Sequence, residues 1–503
     1  MSRFVSLVAL CMTCPAIGSN IGNSKFTVNN VIQSHMVVQQ QKEFVVWGIG
    51  PAGEKVKAHA SWDGRSRTTI IGTTGEWECR IPVPDARPGQ SIAHTLTIRC
   101  EDEIRVYDDI LIGEVWFLSG QSNMEMTMQP AEPWHHGVEN WEAEVSAANF
   151  PELRFITSDR VQSDVPLWNG TGIWQVCTSK TAGALSGVGY YFARMLLQEL
   201  RIPIGLVITS HGGMSAQMYT SEQALSRAPI LKAKYLQPYL DNPQKIVETN
   251  RPAKLYNGMI YPFKNLSMRG ILWYQGESNA GDYRTYDLLV LNMLQDWRIL
   301  FGQKELPFYY VQVTPYAWLK ETDPDPSPKA FYSEEYAFFR ETQSRIREET
   351  SNCHMVTTMD IGMAKMIHPP MKKPIGERLA RLALAHDYGR TISCHAPRFK
   401  SFYQEGNKTI IQFDHVESGL RTNDGQAPRY FFVAGTDRKF HEADAMILGN
   451  RIELTCSEVK DPIAVRYAFL SFPITNLESL DGLPVEPFRT DEWPLGSVTY
   501  VTK

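Results

Sequence analysis

Glu114-Val115-Trp116-Phe117-Leu118-Ser119-Gly120-Gln121-Ser122-Asn123-Met124-Glu125-Met126 passes straight from an apolar run into a Ser/Gly/Asn turn. Four consecutive apolar side chains point to both faces of an extended segment, so the run reads as a strand covered on two sides. Strand-like runs recur at Ile204 to Thr209, Gly270 to Tyr274, Phe308 to Val313 and Met355 to Met359. Helical patterns lie between them. Tyr191, Met195 and Leu196 share one face of Val188 to Leu200, and Ile375, Leu379 and Leu382 share one face of Pro374 to His386. This alternation predicts an α/β core built on a parallel sheet.

Outward from that core the pattern changes. From Phe26 to about Ile110 short alternating runs are punctuated by Gly, Pro and Asp: Glu43 to Trp47, Lys55 to Ala60, Thr68 to Ile71, Trp77 to Ile81 and Leu96 to Cys100. That spacing predicts an antiparallel β-sandwich. Gly48-Ile49-Gly50-Pro51-Ala52-Gly53 satisfies a dinucleotide-binding GxGxxG string, but the alternating Glu54 to His59 follows where a helix is required, so the string reads as a turn. After about Gly389 short strands return, as at Thr409 to Phe413, Tyr430 to Val433 and Ala464 to Phe469. The expected division is a leader at 1–18, an N-terminal β domain at 25–110, a catalytic domain at 111–389 and a C-terminal β domain at 390–503. Pro324, Pro326 and Pro328 predict an extended loop after the Phe308 strand, at the sheet edge where a lid would sit.

The 503 residues suffice for about three domains, and 43% apolar with 21% charged residues exclude wholesale disorder. A net charge of -5 lacks the basic excess that a phosphate backbone requires, which argues against nucleic acid as a partner. Arg3, the apolar run Phe4 to Cys14 and the small residues Ala16-Ile17-Gly18 read as an export signal. No stretch is long enough to span a bilayer, so the expected location is soluble and exported, periplasmic or extracellular. Cys11 and Cys14 fall inside the leader. The remaining six cysteines are widely spaced, with none in the close pairs of a zinc site, so no metal or other cofactor is expected. Cys79 with Cys100 is the most local disulfide available, with buried free thiols as the alternative.

The Ser119–Met126 turn follows its strand directly, which places the Ser122 hydroxyl at the sheet edge beside helix N-terminal N–H groups. Ser122 is therefore a candidate nucleophile, against the plain reading of a helix cap. Three other segments support the chemical reading. Ser210-His211-Gly212-Gly213-Met214-Ser215 ends one strand with a Gly pair whose N–H groups a ligand can approach, and Gln275-Gly276-Glu277-Ser278-Asn279 ends another with amide side chains. Ile367-His368-Pro369-Pro370 supplies an imidazole just before a helix, as a general base requires.

The strings GQSNMEM, SHGGMS, WYQGESNA and IHPPMKKPIGERLA together resemble the block signatures of the sialate O-acetylesterases, a branch of the SGNH (GDSL-like) esterase superfamily. Leu255 to Pro262, Arg340-Glu341-Thr342-Gln343 and Pro487-Phe488-Arg489-Thr490-Asp491 also look like family landmarks. The resemblance implies an SGNH-type three-layer α/β/α core flanked by β-sandwich-like domains, and removal of O-acetyl groups from carbohydrates. Carried over by position, it implies Ser122 as nucleophile, His368 as base and Gly213, or Gly212, as an oxyanion donor. Gln275 is the expected third donor, with Asn279 as the alternative. The superfamily usually places its triad acid three residues before the His, where this chain has Lys365. Asp360 and Glu277 are substitute acids, and a Ser-His dyad oriented by a main-chain carbonyl near Lys365 or Met366 is the preferred reading.

Elsewhere, His135-His136 reads as a polar loop pair, His441 to Asp444 as surface, and His211 as a packed neighbour of the Gly pair. Tyr219 or Trp318 is expected to offer a sugar-stacking surface. The expected substrate is O-acetylated sialic acid, with acetylated xylan or pectin, or a sugar-binding protein with a degenerate site, as alternatives. The oligomeric state is not legible.

Overall fold

The structure, a computed structural model, describes residues 25–319 and 332–501. The leader and the Pro324-Pro326-Pro328 loop lie outside the described residues. Strands β1 (Glu103–Gly120), β2 (Asn149–Thr157), β3 (Gln175–Thr178), β4 (Ile204–Ile208), β5 (Gly270–Tyr274), β6 (Phe308–Val311) and β7 (Cys353–Val356) form the central path, ordered β3-β2-β4-β1-β5-β6-β7. Every neighbouring pair from β2 to β7 is parallel, and β3 is the antiparallel edge.

Alternation along β1 decides what covers the sheet. Val115 and Phe117 enter a cluster with Leu289 and Trp297 of α3 (Tyr286–Leu300) and Phe339 of α4 (Glu335–Ile346). Trp116 and Leu118 point the other way, to Val188 and Phe192 of α2 (Gly187–Leu200) and Leu379 of α5 (Lys373–His386). All four β1 side chains are fully buried, and each contributes about 1.5–3 kcal/mol by leaving water. The short α1 (Ser122–Glu125) begins two residues after β1 ends. Because β4 and β5 flank β1, the turns carrying Ser122, the Gly pair and Gln275 emerge side by side at the carboxyl edge, where open α/β sheets bind ligands.

β1 is also the last strand of the N-terminal β region. Its residues Glu103 to Ile110 pair with His94–Cys100, and Glu114 onward pairs with β4, so the partners change within one continuous strand. The other N-terminal sheet joins Thr27–Val28, Glu43–Ile49 and Glu76–Pro82. The Gly48–Gly53 string leads into the strand Lys55–Ala60 and is a turn. Cys79 and Cys100 are both buried free thiols, which settles the disulfide question for this pair; the other four described cysteines are free as well.

Beyond α5 the chain builds further β structure, including one sheet over Arg398–Glu405, Lys408–Asp414, Arg451–Thr455 and Asp444–Leu448. Charged pairs fasten it to the core. Arg489 grips Glu341 at 2.7 and 2.9 Å, Arg347 grips Glu486 twice at 2.6 Å, and buried Arg466 lies between Glu334 and Asp491. The Arg340–Gln343 and Pro487–Asp491 strings thus act as fasteners. Bidentate Arg–carboxylate geometry supplies their direction.

Candidate active site

Gly120, at φ +135°, turns β1 into the site. A Cβ there would stand 2.1 Å from the Tyr274 carbonyl oxygen, so no other residue fits. The following N–H, from Gln121, donates to that carbonyl at 2.9 Å and ties the Ser122 turn to β5. Ser122 is half-buried at the first position of α1, and its hydroxyl is drawn into no hydrogen bond among the described residues.

The Gly pair packs against this turn. A Cβ on Gly212 would lie 3.4 Å from Ser122 Cβ. The Gly212 N–H donates to Glu125 Oε2 at 2.7 Å, while Glu125 Oε1 accepts from Arg160 Nε at 2.7 Å. Gly212 is therefore spent on holding the turn. Gly213 is exposed, adopts φ +75°, and its N–H has no partner among the described residues, so of the pair it is the one whose N–H is uncommitted.

His368 arrives from across the chain. Asn123, next to Ser122, donates through Nδ2 to the carbonyl of Ile367, next to His368, at 3.1 Å, and to Glu277 Oε1 at 2.5 Å. Its Oδ1 accepts from Lys372 Nζ at 2.6 Å. One buried amide thus clamps the serine turn to the histidine loop. His368 Nδ1 lies 2.9 Å from the Trp134 carbonyl oxygen. A carbonyl can only accept, so Nδ1 carries the proton and Nε2 keeps its lone pair.

The carbonyl that meets the imidazole belongs to Trp134 and not to the Lys365–Met366 stretch. Neither substitute acid touches the imidazole. Asp360 is held bidentately by Arg378 at 2.8 and 2.5 Å. Glu277 is buried on Asn123, its other oxygen has no partner among the described residues, and burial pushes its carboxyl above the usual range.

The amide candidates are corrected as well. Gln275 is fully buried, and its Nε2 is surrounded by Asn279 Oδ1 at 2.8 Å, Gln121 Oε1 at 3.1 Å and the Met214 carbonyl at 3.3 Å. Its Oε1 accepts from Tyr286. Asn279 donates to Gln217 and Asp282 and accepts from the Ala216 N–H. With two amide hydrogens each, both are committed to bracing the floor beneath the site. Tyr219 is buried with its hydroxyl on the Gly120 carbonyl at 2.6 Å, so it offers no stacking face; Trp318 remains 55% exposed.

Electrostatics favour a neutral imidazole at His368. Burial, with Lys372 nearby, lowers the His368 pKa below the ordinary imidazole value, while the Trp134 bond and Glu125 oppose this. Burial brings Lys372 down to about 7. His135 is lowered to about 4 by burial, with His368 and Lys372 adding to it, which places it in the same neighbourhood and not in a plain solvent loop.

Sequence reasoning missed Glu125, Asn123, Lys372 and Trp134. The first three stand inside the quoted strings, where an acid, an amide and a lysine within a few positions of Ser122 or His368 are the available signal. Trp134 contributes a carbonyl, which no residue type announces.

Residues 112–385, just over half the chain, match the family described as carbohydrate esterase, sialic acid-specific acetylesterase. Sialate O-acetylesterase of Rattus norvegicus is 27% identical over 421 residues, covering 74% of this chain and 75% of the relative. The Homo sapiens protein of the same name is 27% identical over 392 residues, with 72% and 71% covered. A crystal structure of a carbohydrate acetylesterase from Xanthomonas citri aligns with TM-score 0.80 at 30% identity, covering 93% of this chain and 100% of that one. With these likenesses laid over a serine turn and an imidazole loop joined by Asn123, the chain belongs to the sialic acid-specific acetylesterase family of carbohydrate esterases and is a carboxylic ester hydrolase.

Proposed function

We propose that this protein is an exported serine esterase of SGNH type that removes O-acetyl groups from sialic acids by a Ser122–His368 dyad. The observation that carries the reading is the Asn123 clamp, which joins the neighbours of the two reactive groups at 3.1 Å. His368 Nε2 takes the Ser122 proton as Oγ attacks the acetyl carbonyl. The Gly213 and Ser122 N–H groups receive the oxyanion, with Gln275 and Asn279 bracing the turns that carry them. His368 then protonates the leaving sugar oxygen, and a water activated by the same nitrogen releases acetate.

The Trp134 carbonyl supplies orientation without a full negative charge, so it stabilises the imidazolium less than a carboxylate would. Sialic acid is favoured over xylan or pectin by the names of the relatives. No helix among the described residues is long and apolar enough to cross a membrane, and the export reading rests on the leader string.

Acetate release from p-nitrophenyl acetate by the wild type and Ser122→Ala tests the nucleophile. Equal rates refute it. A panel of O-acetylated sialic acids and acetylated plant oligosaccharides tests the sugar, and preference for the plant substrates overturns the sialate assignment.

A further inference from the structure

Away from the esterase site, three histidines converge on a junction that the mechanism does not use. His354 sits on β7, His386 is the last residue of α5, and His395 lies in the connector to the following β structure. One ring nitrogen from each falls within 4.8 Å of the others. His386 Nε2 and His395 Nε2 are 3.0 Å apart, and the Cys394 thiol is 3.9 Å from His386 Nε2. His354 stacks on His386 with ring centroids 3.8 Å apart, and His415 lies over His395 at 4.9 Å.

At 3.0 Å two ring nitrogens cannot both carry protons, so at least one directs a lone pair at the other. Imidazole pairs at such a distance are what a shared electrophile collects. We infer that His354, His386 and His395, with Cys394 as fourth donor, form a binding site for a zinc-class divalent transition-metal ion.

Zinc bonds of about 2.0–2.1 Å to nitrogen and about 2.3 Å to sulfur give tetrahedral edges of about 3.3 Å (N to N) and about 3.6 Å (N to S). The observed 3.0 and 3.9 Å bracket those edges. An imidazole binds metal in its own plane, so loading turns His354 out of its stack on His386. Three imidazoles and one thiolate select zinc, or copper, over the oxygen-seeking calcium and magnesium. The ion would tie the sheet edge, the end of α5 and the connector together. Its ligands come from segments spread between positions 354 and 395, so the sequence shows no zinc spacing apart from the adjacent Cys394-His395.

The test is calorimetric titration of chelator-stripped, full-length protein with zinc chloride. One equivalent is expected to bind in the micromolar range or tighter and to raise the unfolding temperature. The His386→Ala/His395→Ala variant is expected to lose at least about tenfold in affinity, while His441→Ala, in the strand Lys439–Glu442 and outside the cluster, keeps it. His386 is exposed, so its truncation spares the core. Cobalt loading supplies a second readout, with the visible bands of a tetrahedral site. Zinc uptake that is weak, non-stoichiometric or undiminished in the double variant overturns the inference.

Discussion

Truncating Glu125 separates what holds the proposed oxyanion donor from what tunes the proposed base. Its carboxylate takes the Gly212 N–H at 2.7 Å and Arg160 at 2.7 Å, so Glu125→Ala frees the turn that presents Gly213. A hydrogen bond to a charged group contributes about 1.5–3 kcal/mol. If that energy holds Gly213 in place, its loss costs about 10- to 150-fold in kcat, at 1.36 kcal/mol per decade. Complete removal of one donor sets a ceiling of about 10²–10³. Glu125→Gln keeps an oxygen for Gly212 and should retain most of kcat.

Both variants remove a negative charge that raises the His368 pKa, so both should move the acid limb of kcat/KM to lower pH. The assay is a pH series of acetate release with saturating and limiting ester, because a hole donor acts on kcat far more than on KM. An unchanged kcat in Glu125→Ala, or an acid limb that moves upward, refutes the reasoning.

Gln275→Ala should lose about 1–3 kcal/mol of stability, read from urea unfolding, since it removes the buried amide that draws Gln121, Asn279 and the Met214 carbonyl together. A loss of kcat with unchanged stability would return Gln275 to the oxyanion hole. The wild-type acid limb should lie below the unperturbed imidazole value of about 6.5, because catalysis needs neutral His368 and its pKa is depressed. Lys372 is protonated in that range and pushes His368 down, so Lys372→Met should move the limb upward. The same variant tests linkage. Between pH 7 and about 10 the unfolded chain holds the Lys372 proton and the folded chain does not. Wild-type stability should gain from this group as pH rises, and the gain should vanish in Lys372→Met. An unaltered stability profile would show that Lys372 titrates normally.

Much of the fold was legible because hydrophobic periodicity reports burial directly. Glu114 to Leu118 could be covered only from two sides, and the stripes of α2 and α5 marked the faces those helices bury. Ser122, the Gly pair and His368 stood out as candidates because few other residue types perform the chemistry proposed for them. Which groups serve them was decided by the tertiary structure. Gln275 looked like a donor until its hydrogens were found committed to Asn279, Gln121 and Met214, and the partner of His368 proved to be a carbonyl 234 positions away. The physical reason is that a side chain's chemistry is encoded at its own position, whereas a hydrogen-bond partner is chosen by proximity. Every residue carries the same backbone carbonyl, so only the folded chain selects the one that orients the base.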